Sequence, residues 1–322
     1  MMKMNSKDGQ LLSMKMLDLA RQWFEESVNP MLEKDFPELA PRLAVGLAGR
    51  GSECFGYDDD ISRDHDYQIS LWLWLESNDE RVWGFALERA YKNLLKNHPP
   101  QQFDTASSLL GGTPRGVCVI EDFFRRHLGI PGAPEHFQEW FNIPEYAFAE
   151  AVNGEVFRDD KGSFSAIRQK IACGMPEDVR LKKLAARAAA MAQSGQYNFM
   201  RCIKHGEPAA AQLALDEFVR NAISMIHLLN FRFAPYYKWA FRSLRDLPVL
   251  GHCAESLQVL LCGNIDAADR AAIIEETAGW IINVLDEQGI SSSPSDYLEN
   301  HALEITKQIK NREIRAMHLM EG

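Results

Sequence analysis

The fold is decided by the residues from Arg42 to Glu76, which read RLAVGLAGRGSECFGYDDDISRDHDYQISLWLWLE. The first eight form an apolar run that ends at Gly49, a pattern typical of a short buried strand. A polar loop follows from Arg50 to Arg63. The stretch from Asp64 to Glu76 is rich in aromatic and aliphatic residues, which favours a second strand. We therefore predict two strands joined by a loop that carries glycine, serine and acidic residues.

The patterns outside this stretch predict an α+β protein with an N-terminal mixed-sheet domain and a C-terminal helical bundle. In the N-terminal part, apolar spacing predicts helices over 11–28, 78–97 and 122–130, and a third strand over 117–121. Residues 154–164 are interpreted as a hairpin or turn that connects two domains. Because nearly everything after Ser165 has helical periodicity, we place one domain at 1–150 and the other at 151–322.

The charge balance disfavours long nucleic acid as a partner. The formal net charge is −10, whereas a general phosphate-backbone binder needs a basic face. The six cysteines form no C-x-x-C pair, which is typical of reduced thiols in a cytoplasmic protein. The N-terminus has no apolar signal-peptide core, and no run approaches the roughly 20 apolar residues that cross a bilayer. We expect no membrane partner.

Asp64 and Asp66 are the first candidate site residues. In a strand, residues two apart point to the same face, so their carboxylates would lie side by side and attract a cation. Magnesium prefers oxygen ligands of this kind, together with substrate phosphates. Gly51 and Ser52 follow the first strand, where a glycine turn brings main-chain N–H groups close to phosphate oxygens. Alternatively, the aspartates pair with Arg50 and Arg63 in an ordinary polar turn.

The combination of strand, Gly-Ser, spacer and D-x-D resembles the nucleotidyltransferase superfamily with the polymerase-β-like fold. Eleven residues separate Ser52 from Asp64 in AGRGS…RDHDY. The fuller string GSECFGYDDDISRDHDYQISLWL is similar to a bacterial group of that superfamily, the DUF4037 type. Three later segments share the resemblance: GEVFRDDKGSFSAIR, PEDVRLKKLA and LLNFRFAPYYKWAFRSLRDLP. It extends from about Ala44 to Pro248, and the organisation is similar to that of aminoglycoside and lincosamide nucleotidyltransferases.

The resemblance implies roles for individual residues. Gly51 and Ser52 match the pair that holds the phosphates, and Asp64 and Asp66 match the metal ligands, for which two magnesium ions are implied. The family usually adds a third carboxylate on a later strand. Cys118 falls at that position here, so we expect Glu121 or the neighbouring Asp122 to take the role if the register differs.

Further candidates lie in the first loop and in the helical part. Arg50 is a candidate nucleotide contact beside Gly51. In the helical part, Lys238 is a candidate triphosphate contact and Tyr237 a candidate stacking partner for a base, although both also suit an ordinary helix start. Arg168 and either Lys182 or Lys183 are candidate phosphate contacts, although most basic residues of this kind lie on solvated faces.

Two functions remain open from the sequence. One is a nucleotidyltransferase that binds a magnesium–nucleoside triphosphate between the domains and moves a nucleoside monophosphate to an acceptor, either a small molecule or a protein. The other is a non-catalytic nucleotide-binding or regulatory module, favoured by the cysteine at the third-carboxylate position. A transferase acting on tRNA is disfavoured by the net charge of −10.

Overall fold

A computed structural model describes residues 14–59, 69–97 and 115–322. The chain divides into two compact units, and it passes between them more than once. The first unit takes its residues from Met1–Pro134 and Glu150–Ala172, and the second from Glu135–Ala149 and Cys173–Gly322. A single boundary at residue 150 therefore differs from this division, because residues 150–172 group with the sheet and 135–149 group with the later helices.

The first unit is built from a mixed sheet and flanking helices. Its described helices and strands are α1 (Met16–Trp23), α2 (Asn29–Asp35), β1 (Ala44–Leu47), β2 (Trp72–Leu75), α3 (Ser77–Asn97), β3 (Val117–Val119), α4 (Ile120–Leu128), β4 (Glu155–Asp159) and α7 (Ser163–Cys173).

In the sheet, the first residues of β2, β3 and β4 lie at the same edge as the last residue of β1. Within the described residues the strand order is β3-β2-β1-β4, with β1 antiparallel to both β2 and β4, and β2 parallel to β3. Every residue of β1 and β2 is buried, so the two central strands are covered on both faces. Strands β2, β3 and β4 therefore begin at the edge of the sheet where β1 ends. We call this edge, which carries the segment Gly49–Ser52, the loop edge.

Three strand boundaries differ from the sequence prediction. Strand β2 begins only at Trp72, and Ile69 to Leu71 are described without strand structure. Strand β3 stops at Val119, because α4 begins at Ile120 and carries its two acidic residues in the first turn, where the helix dipole favours them. The segment 154–164, predicted as a connecting hairpin or turn, contains β4, which pairs with β1 far earlier in the chain.

Gly154 explains how β4 can lie so close to the end of β1. Its φ is +67°, and a Cβ there would overlap the carbonyl oxygen of Leu47. A side chain is excluded both by the left-handed backbone and by the neighbouring strand. Glycine at this position therefore sets the start of β4.

The second unit is helical, and in the chain its described helices lie on both sides of the segment Glu150–Ala172, which belongs to the first unit. They are α5 (Phe137–Asn142), the first part of α6 (Glu145–Val152), α8 (Glu177–Met191), α9 (Met200–Lys204), α10 (Pro208–Leu229), α11 (Tyr237–Arg245), α12 (Cys253–Cys262), α13 (Ala267–Glu287), α14 (Leu298–Gln308) and α15 (Arg312–Ala316).

The α+β class, with a mixed sheet in one part and helices in the other, is confirmed. Within the ranges that the structure describes, no helix combines the length and apolar content that crossing a lipid bilayer requires.

Candidate functional site

The loop that follows β1 has an unusual backbone. Gly49 has a φ of +106° and Gly51 a φ of +120°. At Gly51 a Cβ would overlap the carboxylate of Glu53, so a larger residue would have to displace that side chain. Ser52 then opens a short 3₁₀ turn, Glu53–Phe55, and its carbonyl accepts hydrogen bonds from the N–H groups of Phe55 and Tyr57. Among the described residues, nothing accepts a hydrogen bond from the main-chain N–H groups of Gly51 or Ser52.

Asn153 fixes the beginning of this loop. Its side-chain Nδ2 donates to the carbonyl of Gly49 at 2.7 Å, and its Oδ1 accepts from the N–H of Gly49 at 2.8 Å. Arg168 in turn donates to the carbonyls of Val152 at 2.6 Å and Asn153 at 2.5 Å. Burial lowers the pKa of Arg168. Arg168, a candidate phosphate contact, thus holds the end of α6 in the structure.

Arg115 fixes the other side of the loop from the residues that lead into β3. Its guanidinium donates to the carbonyl of Arg50 at 3.2 Å, to Oε1 of Glu53 at 2.5 Å and to Sγ of Cys54 at 3.4 Å. Desolvation raises the pKa of the buried Cys54 thiol to about 12, although the Arg115 charge opposes this rise. The segment from Gly49 to Cys54 is therefore held at both ends.

Glu150 is a buried acid at the loop edge that the sequence analysis missed. Its Oε2 lies 3.4 Å from Nε of Arg50 and 3.5 Å from Nδ1 of His127. The His127 ring packs against Gly49, since a Cβ on that glycine would lie 3.0 Å from the ring. Arg50 itself is largely exposed, with 72% of its side chain accessible. No local motif marks Glu150, because its partners come from distant parts of the chain.

Glu121 does not lie beside Gly51 and Ser52. It follows the end of β3, which is the edge of the sheet opposite the loop edge. Helix α4 then runs back toward the loop edge. His127, about 9 Å from Glu121 along the helix axis, is the residue of α4 that contacts Gly49. Oε2 of Glu121 is buried and accepts no hydrogen bond from any described residue. Asp122 is exposed and pairs with Arg125.

Cys118, at the expected position of a third carboxylate, is an interior residue of β3. Its backbone pairs with Trp74 of β2, and its Sγ contacts the carbonyl of Val119 at 3.3 Å. Desolvation by burial raises the pKa of the Cys118 thiol to about 11. A protonated thiol facing a neighbouring carbonyl is a poor ligand for magnesium.

Asp64 and Asp66 lie outside the described residues, so their role as metal ligands stays a prediction. In the described ranges, no three His, Cys, Asp or Glu side chains cluster closely enough to hold a metal ion.

The candidates of the helical unit are placed as follows. Tyr237 is the first residue of α11 and is 76% exposed, with its ring centroid 4.2 Å from that of Tyr236. Lys238 is next, and its Nζ lies 4.8 Å from the centroid of the Trp239 ring. Lys182 is fully buried and donates to the carbonyls of His318 at 2.6 Å and Leu319 at 3.1 Å. Lys182 therefore holds the chain near residue 318, and it is not a solvated phosphate contact.

Comparison with known proteins supports part of the expected resemblance. Residues 140–240 match the sequence model of a family described as "Domain of unknown function (DUF4037)". A search of the curated proteins gave no significant match. Among solved structures, a nucleotidyltransferase-like protein from Exiguobacterium sibiricum 255-15 aligns over 88% of this chain and 81% of its own, with 11% sequence identity and a TM-score of 0.36. The chain is therefore similar to DUF4037 over a little under a third of its length, and the distant structural likeness does not establish a shared fold.

Proposed function

We propose that the protein is a magnesium-dependent nucleotidyltransferase that moves a nucleoside monophosphate from a nucleoside triphosphate to a small-molecule or protein acceptor. The observation that carries this proposal is the segment Gly49–Ser52. It combines two left-handed glycines and a serine, and the main-chain N–H groups of Gly51 and Ser52 donate to no described residue. Such N–H groups at the end of a strand favour the binding of phosphate oxygens.

The rigid attachment of the loop supports this role. Asn153 and Arg115 fix its two sides, so the N–H groups of Gly51 and Ser52 keep their directions without a ligand. Preorganised donors are worth more in catalysis than donors that must be ordered on binding. Magnesium, when bound through Asp64 and Asp66, would neutralise the triphosphate, and carboxylates are the donors this ion prefers.

Glu150 is the residue we assign to proton transfer. In the proposed reaction the acceptor oxygen attacks the α-phosphorus, the bond to pyrophosphate breaks, and the proton of the attacking hydroxyl passes to a base. Glu150 is buried at the loop edge, with His127 beside it. Glu121 is separated from Gly51 and Ser52 by the length of the strands. We therefore prefer Glu150 for this step.

A non-catalytic nucleotide-binding module is the second candidate. It is favoured by Cys118, which lies in the sheet where the resemblance implies a carboxylate and whose Sγ contacts the carbonyl of Val119. In that case a nucleotide would bind without being consumed.

Calorimetry with each of the four nucleoside triphosphates and magnesium tests the proposal. We expect binding to the wild type, loss of binding in Asp64→Ala/Asp66→Ala, and no change in the control Asp35→Ala, which alters an exposed acid at the end of α2. If the wild type binds no nucleotide, the proposal is wrong.

Product formation distinguishes the nucleotidyltransferase from the non-catalytic nucleotide-binding module. Incubation with nucleoside triphosphate and a metabolite extract, followed by mass spectrometry, should reveal a nucleotidylated product. Glu150→Gln should keep nucleotide affinity and lose product formation. Binding without any product in the wild type would favour the module.

A further inference from the structure

Helix α8 in the second unit buries three cations on one face. Arg180, Lys183 and Arg187 are spaced at i, i+3 and i+7, which places them along one side of the helix. Arg180 and Lys183 are buried by the fold, and the Arg187 side chain is largely covered. Buried cations are costly unless each finds an acceptor. The cluster is therefore complete only if each of the three cations has a hydrogen-bond acceptor in the protein.

Arg187 is satisfied by the surrounding protein. Its Nε donates to Oγ of Ser224 at 2.9 Å, and its Nη2 to a main-chain oxygen of Gly322 at 2.9 Å. Its guanidinium also lies 3.6 Å from Glu145, whose carboxylate accepts a hydrogen bond from Ser224. Arg187 and Glu145 thus form a closed pair with structural partners.

Lys183 has no such acceptor. Only 3% of the residue is exposed; its ammonium donates to no described residue and, unlike Nη1 of Arg180, retains some access to solvent. The ring of Phe141 lies beside it, with Nζ 5.7 Å from the centroid. Burial lowers the pKa of Lys183, and the charge of Glu145 acts in the opposite direction. The carboxylate that favours the charged lysine is already engaged by Ser224 and Arg187.

Arg180 is only partly satisfied. Its Nε and Nη2 bind the carboxylate of Glu177 at 2.9 Å and 2.7 Å, whereas Nη1 is buried and has no hydrogen-bond partner among the described residues. The ring of Phe231 stacks on the guanidinium, with 4.4 Å between Cζ and the ring centroid. Phe231 is 64% exposed and has a φ of +55°, a conformation that is uncommon for a bulky residue.

We propose that Arg180 and Lys183 form a binding site in the helical unit for the phosphate group of a small phosphorylated molecule. One helical turn separates them, with about 5–6 Å between their Cβ atoms. A phosphate has several strong acceptor oxygens and fits between two such donors. It would satisfy both the Lys183 ammonium and Nη1 of Arg180. The site uses no residue of the Gly49–Ser52 loop, and it does not depend on the proposed transfer reaction.

Phe231 is the side chain that must move to admit this ligand. Its ring covers the Arg180 guanidinium and is itself mostly in solvent. Because this ring is mostly in solvent, we expect its rotation to expose more of the guanidinium. The left-handed backbone at Phe231 closes the end of α10, a position where glycine is usual.

Calorimetry with inorganic pyrophosphate in magnesium-free buffer tests the site in the full chain, and inorganic phosphate and ATP serve as further probes. We expect saturable pyrophosphate binding that weakens about tenfold or more in Lys183→Met and in Arg180→Met, because each loses a charge-assisted hydrogen bond. Lys183→Arg should restore much of the affinity. Lys204→Met, on α9, removes an exposed lysine and should leave binding unchanged.

Several outcomes would overturn the proposal. These are absence of pyrophosphate binding in the wild type at millimolar concentration, or equal affinity in Lys183→Met and Lys204→Met. A thermal melt of each variant shows whether it is folded, and Arg180→Met supplies a second measurement if Lys183→Met is not. Asp64→Ala/Asp66→Ala should still bind pyrophosphate, which separates failure of this site from failure of the proposed nucleotide site. Stronger binding of ATP than of pyrophosphate would identify the ligand as a nucleotide.

Discussion

Replacement of Asn153 by aspartate tests the attachment of the Gly49 loop. The change keeps the shape of the side chain but replaces Nδ2, a donor, with an acceptor. Oδ1 can still accept from the N–H of Gly49, whereas the second oxygen faces the Gly49 carbonyl across a 2.7 Å contact. Gly49 is buried, so its carbonyl has no water in place of the lost donor.

The expected loss of stability comes from one lost hydrogen bond and from one buried acceptor that is left without a donor. A net hydrogen bond contributes about 1 kcal/mol, and an unsatisfied buried group costs about 1–3 kcal/mol. We expect Asn153→Asp to lower the free energy of unfolding by about 3 kcal/mol near neutral pH. With a urea m-value of about 2 kcal/mol/M, the midpoint would fall by about 1.5 M.

The effect should be smaller in mild acid. In the variant, a protonated carboxyl at position 153 can again donate to Gly49, so folding would raise the pKa of that carboxyl. The folded state then binds more protons than the unfolded state, and the stability of the variant relative to wild type rises as the pH falls. Urea titrations at both pH values measure this, with the exposed helical change Asn93→Asp as the matched control for charge. If Asn153→Asp and Asn93→Asp have equal midpoints near neutral pH, the reasoning is refuted.

Three other perturbations probe separate features. Gly154→Ala should lower the free energy of unfolding by about 3 kcal/mol in urea titrations, because its Cβ would overlap the Leu47 carbonyl. The control Gly162→Ala has a similar φ of +73° but open space around the Cβ, so it should lower this free energy by about 1 kcal/mol. Equal losses in the two variants would contradict the overlap. Iodoacetamide at mildly alkaline pH should label the exposed Cys173 and leave Cys54 unlabelled, because the buried Cys54 thiol has its pKa raised to about 12. Peptide mass spectrometry measures the labelling, and a labelled Cys54 in the folded protein would contradict its burial. Burial lowers the pKa of His227, which faces the Ser243 hydroxyl, the Ile223 carbonyl and the Glu145 carboxylate. The unfolded state therefore binds more protons, and the stability of the wild type should fall as the pH drops below about 6.5. A series of thermal melts at decreasing pH should show a weaker fall for His227→Gln.

The sequence predicts the buried centre of the sheet better than its margins. Strand β1 is found within the apolar run ending at Gly49, and the helix after β2 begins close to its predicted start. The pairing of β4 with β1 is absent from the prediction of a hairpin or turn, because Glu155 to Asp159 is a charged, half-buried segment whose place in the sheet depends on β1. Such pairing is a tertiary effect that local propensity does not contain.

The candidate site shows the same division. Gly51 and Ser52 are identifiable from residue type and spacing, and they lie in a loop held on both sides. Glu150 is not, because an acid in a helix carries no local signal until Arg50 and His127 are placed beside it. Asp58, in the polar loop predicted from Arg50 to Arg63, is buried and accepts a hydrogen bond from the N–H of Met16. Each difference comes from partners that are distant in the chain.

The late arrival of β4 has a consequence for synthesis on the ribosome. Strand β1 is complete at Leu47, but the strand that pairs with its second edge ends only at Asp159. Until then the nascent chain carries an unpaired strand edge, which is a template for pairing with other chains. The segment 135–149, which belongs to the helical unit, is also made before the sheet can close. The two units are therefore assembled from interleaved stretches of chain, and neither can be released whole by a single proteolytic cut.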